Sequence, residues 1–271
     1  VWRFSFNAWM IAGRTNIMIR SYLINLDKDT DRLAFVQDNF SRCGVEFERI
    51  AAVDGRLFSD EDYQAFMVAR PRGGKIWMRG QMGCFLSHYA AWAKIAEGDG
   101  RFGAVFEDDI HISPDLKQLL SDDSWLPDSV DIVRLDTSTT RVRMSSRPVL
   151  THAGRKLYEM QSTSWCAGGY LLNKRCAQQL LALPTAAHQP SDALLYSLEE
   201  SAIARQFKVW QCNPALCTQD KHSAGDKANF SSNIENPVQA RVSNGRPPIN
   251  LANLVRALYR SISGYKRIEF E

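Results

Sequence analysis

Apolar and polar positions alternate between two periods along this chain. Ile17 to Leu26 is a near-continuous apolar run, with Ile19, Tyr22, Leu23, Ile24 and Leu26 able to pack on both faces, and it predicts a buried strand. The period then lengthens. Leu33, Val36 and Phe40 form one stripe of a helix that Asp29 or Thr30 can cap and Gly44 can stop. Phe47 to Val53 predicts a second strand, closing at Asp54-Gly55. Residues 59–79 are polar, interrupted by glycine and basic near Arg70, Arg72 and Lys75, and predict an exposed excursion. From Gln81 to Glu97, Phe85, Tyr89, Trp92 and Ala96 recur at helical spacing. Gly103 to Phe106, Val130 to Leu135, Gly169 to Leu172 and Lys208 to Trp210 predict further strands, and Lys174 to Leu183 a helix ended by Pro184. Strands alternating with helices predict an α/β fold, a mostly parallel central sheet flanked by crossover helices.

The pattern also divides the chain. Residues 1–17 read as an N-terminal extension, since the apolar run from Val1 to Gly13 is too short and too interrupted to span a bilayer and shows no small-residue cleavage site. Residues 18–218 hold the α/β domain. Residues 219–248, rich in Asn, Ser, Gly and Pro, predict a mobile loop or linker. Residues 249–271 form a basic C-terminal segment. In it Leu251, Leu254, Val255, Leu258, Tyr259 and Ile262 share one face, which either lies on an anionic membrane surface or packs back on the domain.

Composition narrows the partners. A chain of 271 residues with 45% apolar positions closes a sizeable core without staples. Its net charge of +3 is interleaved and forms no dense basic stripe, so a nucleic-acid partner has no support. The six cysteines show neither CxxC pairs nor a paired framework, which predicts reduced thiols and a cytoplasmic protein.

The chemistry concentrates at Glu107-Asp108-Asp109, where an apolar strand ends in three carboxylates. Open α/β sheets bind ligands at that end of their strands. Like charges ~4 Å apart repel by about 4 kcal/mol at an effective dielectric near 20, so such a cluster needs a cation, a proton or full solvation. Mn²⁺ or Mg²⁺, sharing carboxylates with a nucleotide diphosphate, meets that need; a solvated turn or a helix cap is the plainer alternative.

Taken in order, the motifs resemble glycosyltransferase family 25, which includes bacterial lipooligosaccharide galactosyltransferases and animal collagen galactosyltransferases. The likeness runs from Ile24-Asn25-Leu26-Asp27 with Asp31-Arg32 through Ala52-Val53-Asp54-Gly55. It is strongest at Gly80-Gln81-Met82-Gly83-Cys84-Phe85-Leu86-Ser87-His88, then passes Trp92 and Glu107-Asp108-Asp109 to Gly168-Gly169-Tyr170-Leu171. The resemblance implies a GT-A type nucleotide-diphosphosugar transferase fold, a UDP-hexose donor, usually UDP-galactose, and inversion at the anomeric carbon. The acceptor it implies is a lipid-linked lipooligosaccharide or lipopolysaccharide glycan, reached by peripheral contact with the inner membrane. It makes Asp109 the first choice of direct metal ligand, with Asp108 or Glu107 touching the ion through water or binding the donor's ribose.

Each remaining candidate has a plainer alternative. Ser87, His88 and Gly83 face the donor diphosphate or sugar, or else serve local packing. Asn25 and Arg32 follow the first strand, where base and ribose would sit, or Arg32 pairs with Asp29. Asp54 binds the nucleotide or makes an Asp-Gly turn. Asp192, which the resemblance marks as an aspartate after the helix following the Gly-Gly-Tyr strand, is the base for the acceptor hydroxyl or the cap of the next helix. His222 supplies a late metal ligand or is a lone loop histidine. Trp77 and Trp165 stack on acceptor sugars or belong to the core. Two other functions share the acidic strand end: a metal-dependent phosphohydrolase or nucleotidyltransferase, and a non-catalytic glycan-binding protein.

Overall fold

A computed structural model describes residues 17–68, 77–223, 229–230 and 264–270. Strand β1 (Arg20–Asn25) leads into helix α1 (Thr30–Cys43), whose C-terminus turns on Gly44 at φ 64°. Strand β2 (Glu48–Ala51) follows, then a single 3₁₀ turn at Gly55–Leu57. The polar stretch after it, expected as an exposed excursion, opens with helix α2 (Asp60–Val68). Ser59 Oγ accepts from the amide of Asp62 at 3.0 Å and caps the first turn, and the helix buries no residue.

Helix α3 (Arg79–Glu97) buries Phe85, Trp92 and Ile95 against strand β3 (Phe102–Glu107). Beyond β3 come β4 (Ile110–Ile112), helix α4 (Leu116–Leu120), β5 (Ile132–Arg134) and β6 (Asp136–Thr137). Then β7 (Arg141–Arg143) precedes a hairpin of β8 (Leu150–His152) and β9 (Arg155–Glu159). Strand β10 (Gly169–Asn173) runs into helix α5 (Lys174–Leu181), and helix α6 (Ser191–Tyr196) follows. The described chain closes with β11 (Val209–Asn213), β12 (Cys217–Gln219), helix α7 (Asp220–Ser223) and β13 (Tyr265–Arg267).

Eight strands form the central sheet in the order β2-β1-β3-β10-β5-β11-β9-β8. The α/β class is as expected, but the pairing is mixed. β1 is parallel to β2 and β3, and β5 to β11, while β10 is antiparallel to both its neighbours and β9 to β11 and β8. Strand β10 therefore runs against β3 and β5 and in the same direction as β9, with β5 and β11 lying between the two.

Alternate residues of β1 and β3 feed two cores. Leu23, Ala104 and Phe106 join Val36, Phe40 and Leu116 on one face; Tyr22, Ile24 and Val105 join Phe85, Trp92 and Leu180 on the other. All six cysteines are free thiols. Trp77 is a core residue, 1% exposed, whereas Trp165 is 43% exposed.

The boundaries expected near the C-terminus shift. Gln219 to Ser223 belong to the folded domain as a strand end and a short helix, with Asp220 only 1% exposed. The tail returns as well: β13 pairs with β7, Ile268 enters a small core beside Val142, Met144 and Ala215, and the Ala215 amide donates to Glu269 O at 2.7 Å. The expected N-terminal extension up to residue 16, most of the linker and the amphipathic face from Leu251 to Ile262 lie outside the described residues.

Candidate active site

Because β1 and β3 are parallel neighbours with Ile24 opposite Glu107, their carboxyl ends bring Asn25 and the acidic turn to one edge. Asn25 Nδ2 donates to Asp108 Oδ2 at 2.7 Å, and Arg49 Nε donates to Asn25 Oδ1 at 2.9 Å. Arg32, one turn into α1, reaches back to two carboxylates: Nε lies 3.0 Å from Asp108 Oδ1 and Nη2 lies 2.8 Å from Asp109 Oδ2.

Glu107 is held at both oxygens. His88 Nε2 lies 3.2 Å from Oε1, and Gln219 Nε2 donates to Oε2 at 2.7 Å. Trp92 Nε1, a donor only, gives its proton to Tyr170 Oη at 2.8 Å, and that oxygen lies 2.8 Å from His88 Nδ1. Facing a carboxylate, which only accepts, His88 Nε2 carries a hydrogen. His88 is fully buried with both nitrogens engaged, and it lines the cleft beside Glu107.

Burial raises Asp108 to about 6 against the opposing pull of Arg32 and Asn25. It also raises Asp109, with the charge of Glu107 adding to the rise. Burial presses Glu107 upward too, but the hydrogen bond and electrostatic pull of His88, followed by the charges of Lys221 and Arg32, outweigh it, and the carboxyl is held below its ordinary value. The turn therefore carries one committed carboxylate and two that are hard to ionise together.

A cleft opens above this turn, with Ala52 to Arg56 on one wall and Gln219 and Lys221 on the other. Asp54 makes the turn expected of it and also lines the cleft. It lines the cleft between Lys28 (2.5 Å) and Arg56 (2.9 Å), and it accepts from the Arg56 amide at 3.2 Å as the cap of the Gly55–Leu57 turn.

Ser87 and Gly83 sit within α3, not at its first turn. Ser87 Oγ donates to Gly83 O at 2.7 Å and accepts from the Val53 amide at 2.9 Å, which ties helix to cleft wall. A Cβ on Gly83 would meet Val53 O at 2.4 Å, so the close approach that glycine permits is to the wall's own backbone.

A second cleft adjoins the first and shares Cys84, Glu107, Gln219 and Lys221 with it. Asp192 lines this second space at the N-terminus of α6, where Oδ2 accepts from the Cys166 amide at 3.2 Å and Oδ1 from the Ala193 amide at 2.8 Å. The cap position of α6 is Pro190, so Asp192 is a first-turn residue and not the helix cap, and it faces the cleft. His222 lies on α7, with Nε2 3.8 Å from Cys166 Sγ; from the same helix it is Lys221 that lines both clefts. Beneath the two spaces lies an ion pair between Arg134 Nε and Asp136 Oδ1 at 2.6 Å, both side chains 1% exposed.

Sequence comparison decides the family. The profile described as glycosyltransferase family 25 (LPS biosynthesis protein) matches residues 18–195. The chain belongs to glycosyltransferase family 25. Relatives of this family-25 chain include the lacto-N-neotetraose biosynthesis glycosyltransferase LgtB of Neisseria meningitidis serogroup B, 29% identical over 76% of this chain and 77% of that protein. LgtE from the same strain is 27% identical over 76% of each. The lipooligosaccharide biosynthesis protein lic2B of Haemophilus influenzae is 23% identical over 82% of this chain and 84% of the relative.

Gln219 and Lys221 lie beyond the segment matched to family 25, and sequence reasoning missed them. They open a polar stretch with no period, and the pairing of β12 with β4 and β6 carries them to the acidic turn. No helix among the described residues is long and apolar enough to cross a membrane.

Proposed function

We propose that this family-25 chain moves a hexose from a UDP-sugar onto a lipooligosaccharide-type glycan, with inversion and with help from a divalent cation. The observation that carries the reading is the acidic turn at the end of β3, buried in a cleft together with Arg32 and Lys221. A GT-A type arrangement and UDP-galactose as donor follow from the family resemblance; the lipid-linked acceptor is supported by the part that the relative lic2B takes in lipooligosaccharide biosynthesis.

The donor set fits a hard cation. Asp108 and Asp109 offer oxygens whose ionisation a divalent charge would favour, which suits Mn²⁺ or Mg²⁺. A softer alternative exists, since Cys84, His88 and Glu107 have ligand atoms within 4.8 Å of one another. It fits poorly: burial holds the Cys84 thiol well above its ordinary value, and His88 has no nitrogen to spare. When bound, the cation would supply Lewis-acid charge to the departing diphosphate.

The chain's own groups do the rest. Asn25, Asp54 and the Ala52–Arg56 wall receive the nucleotide, and Arg32 and Lys221 take up charge on the diphosphate. The acceptor enters the second cleft, and Asp192 removes its hydroxyl proton. That oxygen bonds to the anomeric carbon as the bond from this carbon to the diphosphate breaks, and UDP leaves on the opposite face.

A UDP-hexose panel with Mn²⁺, followed by truncated lipooligosaccharide acceptors, tests the reading. Sugar transfer is expected that EDTA and Asp109→Asn each abolish without unfolding the protein. Transfer insensitive to both would refute the metal assignment, and release of phosphate with no acceptor would favour a phosphohydrolase.

A further inference from the structure

The counter-charge of the acidic turn is a side chain of the protein itself. Arg32 spans two carboxylates with one nitrogen for each, and its side chain is 12% exposed. The contact is close but poorly aligned, because Nε finds no hydrogen-bond acceptor although Asp108 Oδ1 is 3.0 Å away. A guanidinium that forks onto a single carboxylate makes two parallel hydrogen bonds; this one is held by charge more than by direction. The ring of Phe230 also lies 5.6 Å from the guanidinium carbon. That ring is fixed by Asp220, whose Oδ2 accepts from the amides of Asn229 and Phe230, the latter at 3.1 Å, while His111 Nε2 lies 2.8 Å from its Oδ1.

We propose that Arg32 is an exchangeable resting counter-ion, which yields Asp108 and Asp109 to a divalent cation and turns its guanidinium to the diphosphate of the donor. The inference rests on the metal-assisted reading above. It adds an order of events: Arg32 opposes the cation before the nucleotide arrives and favours the nucleotide once the cation is bound. The cleft itself makes the second position available, since Arg32 lines it with Lys221. The neutral partners of the turn do not compete in this way. Asn25 and Gln219 donate to the carboxylates without bringing positive charge, and can stay in place when a cation binds.

Opposite effects of one substitution provide the test. Mn²⁺ alone, and then UDP at saturating Mn²⁺, are titrated calorimetrically at pH 7.5 into the wild-type protein and into Arg32→Gln and Arg32→Lys. If the guanidinium occupies the acids nine-tenths of the time, its removal tightens Mn²⁺ binding about tenfold. Arg32→Gln is therefore expected to bind Mn²⁺ alone about tenfold more tightly, yet to bind UDP about tenfold more weakly with Mn²⁺ present. Arg32→Lys, which keeps the charge, should bind Mn²⁺ within about twofold of wild type, and it also guards against a folding defect in the glutamine variant.

Mn²⁺ bound equally or more weakly by Arg32→Gln overturns the exchange while leaving the metal site intact. Tightening of the same size in Arg32→Lys overturns it too, since charge would not be the cause. No Mn²⁺ binding to any of the three proteins overturns the metal-assisted reading itself, and the exchange with it.

Discussion

Gly83→Ala perturbs the junction between α3 and the donor wall with a single carbon. The new Cβ would meet Val53 O at 2.4 Å, Gly55 N at 2.5 Å and Gly55 Cα at 3.0 Å, all of them backbone atoms that no rotamer change can move. Opening the shortest contact to 3.0 Å requires the helix and the wall to part by about 0.6 Å, an overpacking that costs about 3 kcal/mol at the upper end of the usual range. Alanine returns about 1 kcal/mol of helix propensity, which leaves a net loss near 2 kcal/mol. In a chain of this size that lowers Tm by about 4–8 °C. The wall that moves contains Asp54, so UDP binding should weaken about tenfold, worth ~1.4 kcal/mol, when measured by calorimetry well below the melting range. An alanine variant that melts and binds UDP like the wild type would show that the wall slides freely, and the close-approach reasoning would be wrong.

Ser87→Ala strikes the same junction from another side: the Val53 amide loses its acceptor, and a loss of about 1–2 kcal/mol in urea unfolding is expected. Glu107→Gln sets an amide donor against His88 Nε2–H or against the Gln219 amide; a flip of Gln219 relieves that clash only by turning its oxygen toward Asp109, so metal-dependent UDP affinity should fall by about tenfold or more. Arg134→Met leaves Asp136 buried and unpaired, and thermal unfolding at pH 7.5 should show a loss of about 3–5 kcal/mol.

The same measurement at pH 5 should show a smaller loss. Asp136 is raised by burial to about 6 in the folded wild-type protein, so the folded form binds the proton more tightly than the unfolded chain. The stability this gives is present below the ordinary carboxylate value and is lost as pH rises through about 6, where the ion pair takes over. Equal losses at the two pH values would refute the assignment.

The sequence made the left half of the sheet legible because its signals are local. The apolar run of β1, the stripe of α1 with Gly44 behind it, and the abrupt acidic end of β3 each lie within one stretch of chain. Helix α2 was also announced, by Ser59 three residues before Asp62 and by Tyr63, Phe66 and Met67, which pack partly buried on the second core, but its short apolar face was hidden among polar residues. The reversed entry of β10 was not readable, since strand polarity depends on the connection and not on the strand. The site divides in the same way. Glu107 to Asp109 and Asn25 stand at strand ends that periodicity reveals, whereas Gln219 and Lys221 come from a region whose polar composition resembles a linker. The partners of Arg32 were hidden too: Asp108 and Asp109 are far away in sequence, and only the parallel pairing of β1 with β3 brings them near.

The returning tail imposes an order on biosynthesis. Ile268 O accepts from Thr137 Oγ1 at 3.0 Å, Thr137 O accepts from Thr218 Oγ1 at 3.0 Å, and the next residue, Gln219, grips Glu107. Domains assemble from the N-terminus as the ribosome proceeds, so β1, β2 and β3 can pair early. The grip on Glu107, however, is backed by a residue that is translated almost fifty codons after Gln219. A nascent chain that has formed its cleft wall would thus still lack the finished grip on Glu107, and activity should switch on abruptly, only once Ile268 has been added.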